Sequence, residues 1–237
     1  MIQAFYSIRW AHYVISVISP TESFVAKSIL GGAKTRLCVP TVKKEPVTEL
    51  LQKMYDSLLS AKNVYNQRAM CACLLAYAGF MRISELLNLR ICDINFSQEY
   101  ISVFIKKSKT DVNRGGNWLI ICRTGSPLWL VGNLELYLEW LGCCQHSESY
   151  LFQILVKGQQ GYIFRQVNKS LSYSRMRELF TEAFSPFVVN IKSYGLHSLR
   201  SGGATSAAKY GVSDRLFKNE CYSTVNQSIS KKHRYLH

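Results

Sequence analysis

Acidic side chains are scarce in this chain of 237 residues: 15 Asp and Glu stand against 29 Lys and Arg, a formal net charge of +14. Such an imbalance makes an acidic partner the expectation, either a nucleic acid or an anionic membrane surface. A spanning helix is missing, because no apolar run approaches the roughly 20 residues that a bilayer requires. YVISVIS near the N-terminus (residues 13–19) is too short for a signal sequence and has no small-residue cleavage site after it. Zinc-finger spacing is also absent. The eight cysteines, at 38, 71, 73, 92, 122, 143, 144 and 221, contain no CxxC pair. They read as reduced thiols of an intracellular protein, nuclear where the host is eukaryotic. Lysines do not gather on an amphipathic helix, which favours nucleic acid over a membrane surface.

What is present is a core. About half the residues are hydrophobic and 12% are aromatic, enough to fill one full domain. TELLQKMYDSLLSA carries Leu50, Leu51, Met54, Leu58 and Leu59 at helical spacing. NQRAMCACLLAYAG is apolar nearly all round and reads as a buried helix closed by Gly79. RISELLNLR starts another helix. YISVFI and NWLIICR are β-branched and aromatic, and they flank a turn containing Ser108, Asp111, Asn113, Gly115 and Gly116, the pattern of a hairpin or three-stranded sheet. LWLVGNLELYLEWL and YSRMRELFTEAF are amphipathic. GLHSLRSGGATSAAKYG is a helix of small residues suited to close packing and ended by Gly211, and Ser213 is placed to cap a short helix through Phe217. The expected fold is mainly α with one small antiparallel sheet.

Pro40, Pro46, Lys43 and Lys44 mark residues 37–46 as an extended basic linker. Residues 1–36 are helical but too few for a core of their own. They read as the remnant of a helical domain ahead of a main domain at 47–237.

Three polar clusters stand out against this framework: Arg82 in AGFMRISELLNLRICDI, the lysines of KKSKTD, and His197 with Arg200 in GLHSLRSGG. A guanidinium grips two phosphate oxygens at once and stays charged at any working pH. Two of them with a histidine and a lysine suit a phosphodiester whose negative charge grows during reaction. Each residue also has an ordinary alternative. Arg82 could be salt-bridged at a helix start, His197 a core histidine, Lys109 a solvated hairpin lysine, and Glu85 a member of a helix-surface ion pair.

These clusters, in this order and spacing, resemble the boxes of the tyrosine recombinases, or phage integrases. Lys109 lies 27 residues after Arg82, and Arg200 lies 118 after it. Together the boxes cover roughly residues 47–217. The resemblance implies the DNA breaking-rejoining fold and double-stranded DNA as partner. Arg82 and Arg200 would then clamp the phosphate, Lys109 would protonate the leaving 5′-oxygen, and His197 would assist proton transfer. Glu85 would orient basic neighbours, while Lys43, Lys44, Lys106 and Lys107 would contact DNA. A tyrosine nucleophile would form a 3′-phosphotyrosine bond, with no metal and no cofactor required. Active members assemble as tetramers on two DNA sites and exchange C-terminal segments.

The tail, residues 219–237, departs from the family pattern. The family places a histidine or tryptophan about two dozen residues after the second arginine, and the tyrosine about nine residues later. Here Ser223 occupies the tryptophan's place, Tyr222 is too close to Arg200, and His233 and Tyr235 are only two residues apart. Tyr235 is the candidate nucleophile, 35 residues beyond Arg200. Two readings stay open: a recombinase of mobile-element type, or a DNA-binding remnant of the same fold without catalysis. Low activity is the expectation.

Overall fold

The computed structural model describes residues 2–37, 44–60, 63–106, 115–124, 128, 130–142, 147–158, 161–164 and 167–212. The chain divides into two compact units, Met1–Lys43 and Lys44–His237.

The first unit holds α1 (Ile2–Val14), a 3-10 turn at Pro20–Glu22, and α2 (Phe24–Leu37). Ser19 caps the turn by accepting from the Thr21 N–H at 3.3 Å. Glu22 then takes Arg9 and Lys27, each at 2.8 Å. Ser19 and Thr21 are its only described buried residues, while Tyr13, Ile18 and Phe24 are largely exposed. Among the described residues of this unit, none of the large apolar side chains is buried.

The second unit is built around α4 (Val64–Ala78), which follows α3 (Leu50–Ser60). Asn63 caps α4, its Oδ1 accepting from the Asn66 N–H at 2.9 Å. Ten consecutive residues, Gln67 to Ala76, are buried, because helices pack against α4 from several sides. These are α3, α6 (Leu130–Leu141), α7 (Tyr173–Phe184) and α8 (Leu196–Lys209). The two polar residues in this stretch reach across the core, although the buried Arg68 Nε has no partner among the described residues. The Gln67 amide donates to the Asn133 carbonyl at 2.8 Å, and Arg68 Nη1 donates to the Gln153 carbonyl at 2.7 Å. Burial lowers the Arg68 pKa. Cys71 and Cys73 are fully buried, and burial pushes the Cys73 thiol up to about 12. All four described cysteines, Cys71, Cys73, Cys92 and Cys122, are free thiols.

A short helix, α5 (Ile83–Leu87), and a 3-10 turn at Ile91–Asp93 lead into the sheet. Strands β1 (Ile94–Phe96), β2 (Tyr100–Ile105) and β3 (Asn117–Cys122) are antiparallel in that order. Ile101 faces Ile121, Val103 faces Leu119, and Phe104 faces Trp118. The alternation puts Ile101, Val103, Ile105, Leu119 and Ile121 in the core. A second hairpin, β4 (Leu155–Gly158) with β5 (Gly161–Phe164), carries no alternating signature in the sequence and is an addition to the expected fold. The turn at 107–114 and the proposed cap at Ser213 lie outside the described residues.

Residues 44–48, partly assigned to the linker, are fastened to the segment that opens α8. The Glu45 N–H donates to the Ser193 carbonyl at 3.0 Å, and the Val47 N–H to Ser198 at 3.3 Å. The Lys44 ammonium donates to the Lys192 carbonyl, and the Thr48 hydroxyl donates to the Gly202 carbonyl at 3.3 Å.

Candidate active site

α4 ends in a tight reversal at Gly79, and the next residue, Phe80, adopts a left-handed φ of 47°. Bulky residues avoid that region at a cost of about 1–3 kcal/mol. Burial of the ring, only 6% exposed, holds it there. Two residues on, Arg82 occupies the N-cap of α5.

Glu85 grips Arg82 at two points. Its Oε2 accepts from the Arg82 backbone N–H at 2.8 Å, and its Oε1 accepts from Nη1 at 2.8 Å. The Glu85 side chain is 3% exposed and that of Arg82 24% exposed, so this is a sheltered pair rather than a surface one. A low-dielectric carboxylate in contact with a guanidinium fixes the direction in which the guanidinium points.

α8 supplies the second cluster. Its first turn is closed by the Gly195 N–H donating to Ser198 Oγ at 3.0 Å. Leu196 and Leu199 are buried, which leaves His197 exposed and Arg200 half-buried on a shared flank, three residues apart. Arg200 Nη1 is buried and has no hydrogen-bond partner among the described residues. A charged N–H in that state is costly, and an anion relieves it.

The two clusters are brought together by glycine. A Cβ on Gly203 would stand 2.1 Å from the Tyr77 carbonyl oxygen and 2.8 Å from the Phe80 ring; one on Gly202 would stand 3.0 Å from the Tyr77 ring. α8 therefore lies directly on the end of α4. Its closest approach, Gly203, is one helical turn from Arg200 and touches the reversal that launches Arg82. The small residues of SGGA permit this contact, as the sequence pattern predicts.

Of the lysines assigned to DNA, Lys106 pairs with Asp93, Nζ to Oδ1 2.8 Å, and Lys44 is bonded to Lys192 as above. Lys43, Lys107, Lys109 and Tyr235 lie outside the described residues. Asp93 escaped the sequence reading although it is only 5% exposed. Its signal was the repeat of Arg-x-x-acid, Arg82 to Glu85 and then Arg90 to Asp93. The described residues hold no group of three or more His, Cys, Asp or Glu able to bind a metal ion. No helix among them is long and apolar enough to cross a membrane.

The phage integrase family model matches residues 43–219, three quarters of the chain. The chain belongs to the phage integrase family. A tyrosine recombinase of Pseudothermotoga lettingae is 27% identical over 198 residues, covering 84% of this integrase-family chain and 59% of the relative. Among solved structures, the XerH site-specific recombinase bound to its difH substrate in a pre-cleavage complex superposes with a TM-score of 0.54. The identity there is 18%, over 80% of this chain and 51% of that one. The Tn1549 transposon integrase in complex with circular intermediate DNA gives 0.50 at 14% identity, over 99% and 75% of the two chains. The fold is that of tyrosine recombinase catalytic domains. The chain spans little more than half the length of the curated relative and of XerH.

Proposed function

We propose that this integrase-family domain cuts and rejoins double-stranded DNA as part of a site-specific recombinase of mobile-element type. The observation that carries the reading is the paired arginines. Arg82 is aimed by a buried carboxylate, and Arg200 keeps a buried N–H unsatisfied a helical turn from the contact that joins the two clusters. In this reading both guanidiniums meet the non-bridging oxygens of the scissile phosphate, where charge grows as phosphorus becomes five-coordinate. A tyrosine oxygen attacks phosphorus, forming the phosphotyrosine bond while the P–O5′ bond breaks. His197 assists proton transfer, and Lys109 gives the departing 5′-oxygen its proton. Reversal with a new 5′-hydroxyl rejoins the strands.

Assembly of several copies on DNA belongs to the same proposal. A hollow of about 390 Å³ lined by Leu51, Leu74, Tyr77, Leu128, Val131 and Ala207 supports it, being apolar and large enough to take side chains of a neighbour's C-terminal segment. The divergent tail favours a second reading, in which the same surface binds DNA without cutting it.

The test is a nicked, labelled suicide duplex carrying the element's terminal sequence, resolved on a denaturing gel. A covalent protein–DNA band that vanishes in Tyr235→Phe establishes cleavage. Salt-sensitive binding with no such band establishes the second reading.

A further inference from the structure

Asp93 closes the 3-10 turn after α5, and both of its carboxylate oxygens are committed. Oδ2 accepts from the Arg90 N–H at 2.9 Å, and Oδ1 meets the Lys106 ammonium at 2.8 Å. The Asp93 side chain is 5% exposed, whereas that of Lys106 is 51% exposed. A lysine reaching from an exposed strand end onto a buried carboxylate is strongly held, because losing it leaves an uncompensated buried charge. Lys106 is the first residue past β2. The facing leg is fixed independently. Gly116, one residue before β3, has φ +70°, and a Cβ there would lie 2.5 Å from the Phe104 ring. Glu85 and Asp93 also line one hollow of about 300 Å³ together with Arg90, Phe104, Lys106 and Tyr150. The residue that aims Arg82 and the residue that holds Lys106 therefore border the same space.

We propose that Asp93 is a positioning residue, and that Lys106 is its strut rather than a DNA contact. The pair ties the end of β2 to the turn that follows the Arg82 helix, so that strand end and helix move as one piece. Lys109 stands three residues beyond Lys106 in the chain. Anchoring the chain at Lys106 would limit where a proton donor three residues later can reach. This last step rests on the cleavage reading above; the anchoring itself does not.

The test compares wild type with Asp93→Asn, Lys106→Met and Lys106→Arg on two suicide duplexes, one ordinary and one with sulfur replacing the bridging 5′-oxygen. A thiolate leaves without needing a proton, so a misplaced proton donor matters only on the ordinary substrate. Expected for Asp93→Asn and Lys106→Met is a loss of covalent complex of about tenfold or more on oxygen. On sulfur they return to within about threefold of wild type, and Lys106→Arg retains most activity on both. The slope of log affinity against log salt stays at the wild-type value. A slope shallower by about 0.9, with no rescue by sulfur, makes Lys106 a phosphate contact and overturns the proposal. Amide hydrogen exchange keeps the anchoring testable without catalysis. Peptides covering 94–106 and 115–122 should exchange about tenfold faster in Asp93→Asn while α4 is unchanged. Unchanged exchange sinks the anchor. Wild type that cleaves neither duplex sinks the cleavage reading and leaves the exchange result to decide the anchor.

Discussion

Arg82–Glu85 and Arg90–Asp93 are the same local device used twice, eight residues apart. In both, an arginine with extended backbone opens a short helical turn, and an acid three residues later accepts its backbone N–H, at 2.8 and 2.9 Å. They differ in what the second carboxylate oxygen holds. Glu85 turns it back onto the guanidinium of its own arginine. Asp93 holds Lys106 of another element. Arg90 turns to other segments, donating to the Glu148 carbonyl at 2.6 Å with its guanidinium 5.1 Å over the Tyr150 ring. The capping bond sets the turn in both cases. The tertiary neighbour of the remaining oxygen decides whether the arginine is gripped by its own cap or left to partners on other segments.

The largest effect should separate the arginines themselves. Arg82→Ala and Arg200→Ala should each lower covalent-complex formation by about a thousandfold, the scale of losing a preorganised transition-state donor. Arg90→Ala should stay within about threefold of wild type in the same gel assay. Equal damage at positions 82 and 90 would break the comparison. Next comes the contact that unites the clusters. Gly203→Ala forces a methyl group to within 2.1 Å of a backbone carbonyl, and should cost about 3 kcal/mol in urea denaturation. Gly202→Ala meets a side-chain ring at 3.0 Å and should cost about 1 kcal/mol. Gly31→Ala, inside α2 with nothing within 4 Å, should do the opposite and stabilise its helix by about 0.5–1 kcal/mol.

Much of this arrangement was legible beforehand, for identifiable reasons. Arg82, His197 and Arg200 stood out by residue type and by the resemblance of the boxes that carry them, and the structure places them at the starts of α5 and α8. The close approach at SGGA was legible because only small residues let helices touch, although its partner, the carbonyl of Tyr77, was not. Phe80 gave no warning: nothing about a phenylalanine signals a positive φ, which tertiary burial imposes. Asp93 went unread because its partner, Lys106 just past β2, is distant in sequence. Arg68 lies in a helix already read as buried, but its partner across the core, the Gln153 carbonyl, was not legible. Glu85 does form an ion pair, but a buried one rather than one on the helix surface, because burial comes from packing that periodicity alone does not specify. The second hairpin was missed because VKGQQGYI alternates too little to signal strands.

A gentler pair of variants distinguishes the two carboxylates. Glu85→Gln keeps the shape but removes the charge that orients Arg82, and should cost about 1–3 kcal/mol of stability. Asp93→Asn should cost a similar amount by the same denaturation measurement. Their cleavage defects should then diverge on the sulfur-bridged duplex. That substrate relieves the Asp93 variant and leaves the Glu85 variant impaired, since a misdirected phosphate clamp is not cured by a better leaving group. Rescue of both would mean that the two carboxylates serve one function.

The smallest expected effect lies on the outward side of the second turn. Arg90 Nη1 is 3.5 Å from the Glu148 carboxylate, but that side chain is 86% exposed. Solvent screens such a pair, and holding two long side chains together offsets most of what attraction remains. Glu148→Ala should therefore change the unfolding free energy in urea by less than about 0.5 kcal/mol, because the Glu148 carbonyl that anchors Arg90 survives the substitution. Tyr150→Ala removes the ring beneath the guanidinium and should cost more, about 1 kcal/mol beyond lost packing. If Glu148→Ala proved the more damaging, Arg90 would be held by charge as Arg82 is, and the contrast between an arginine fixed by its own cap and one released from it would disappear.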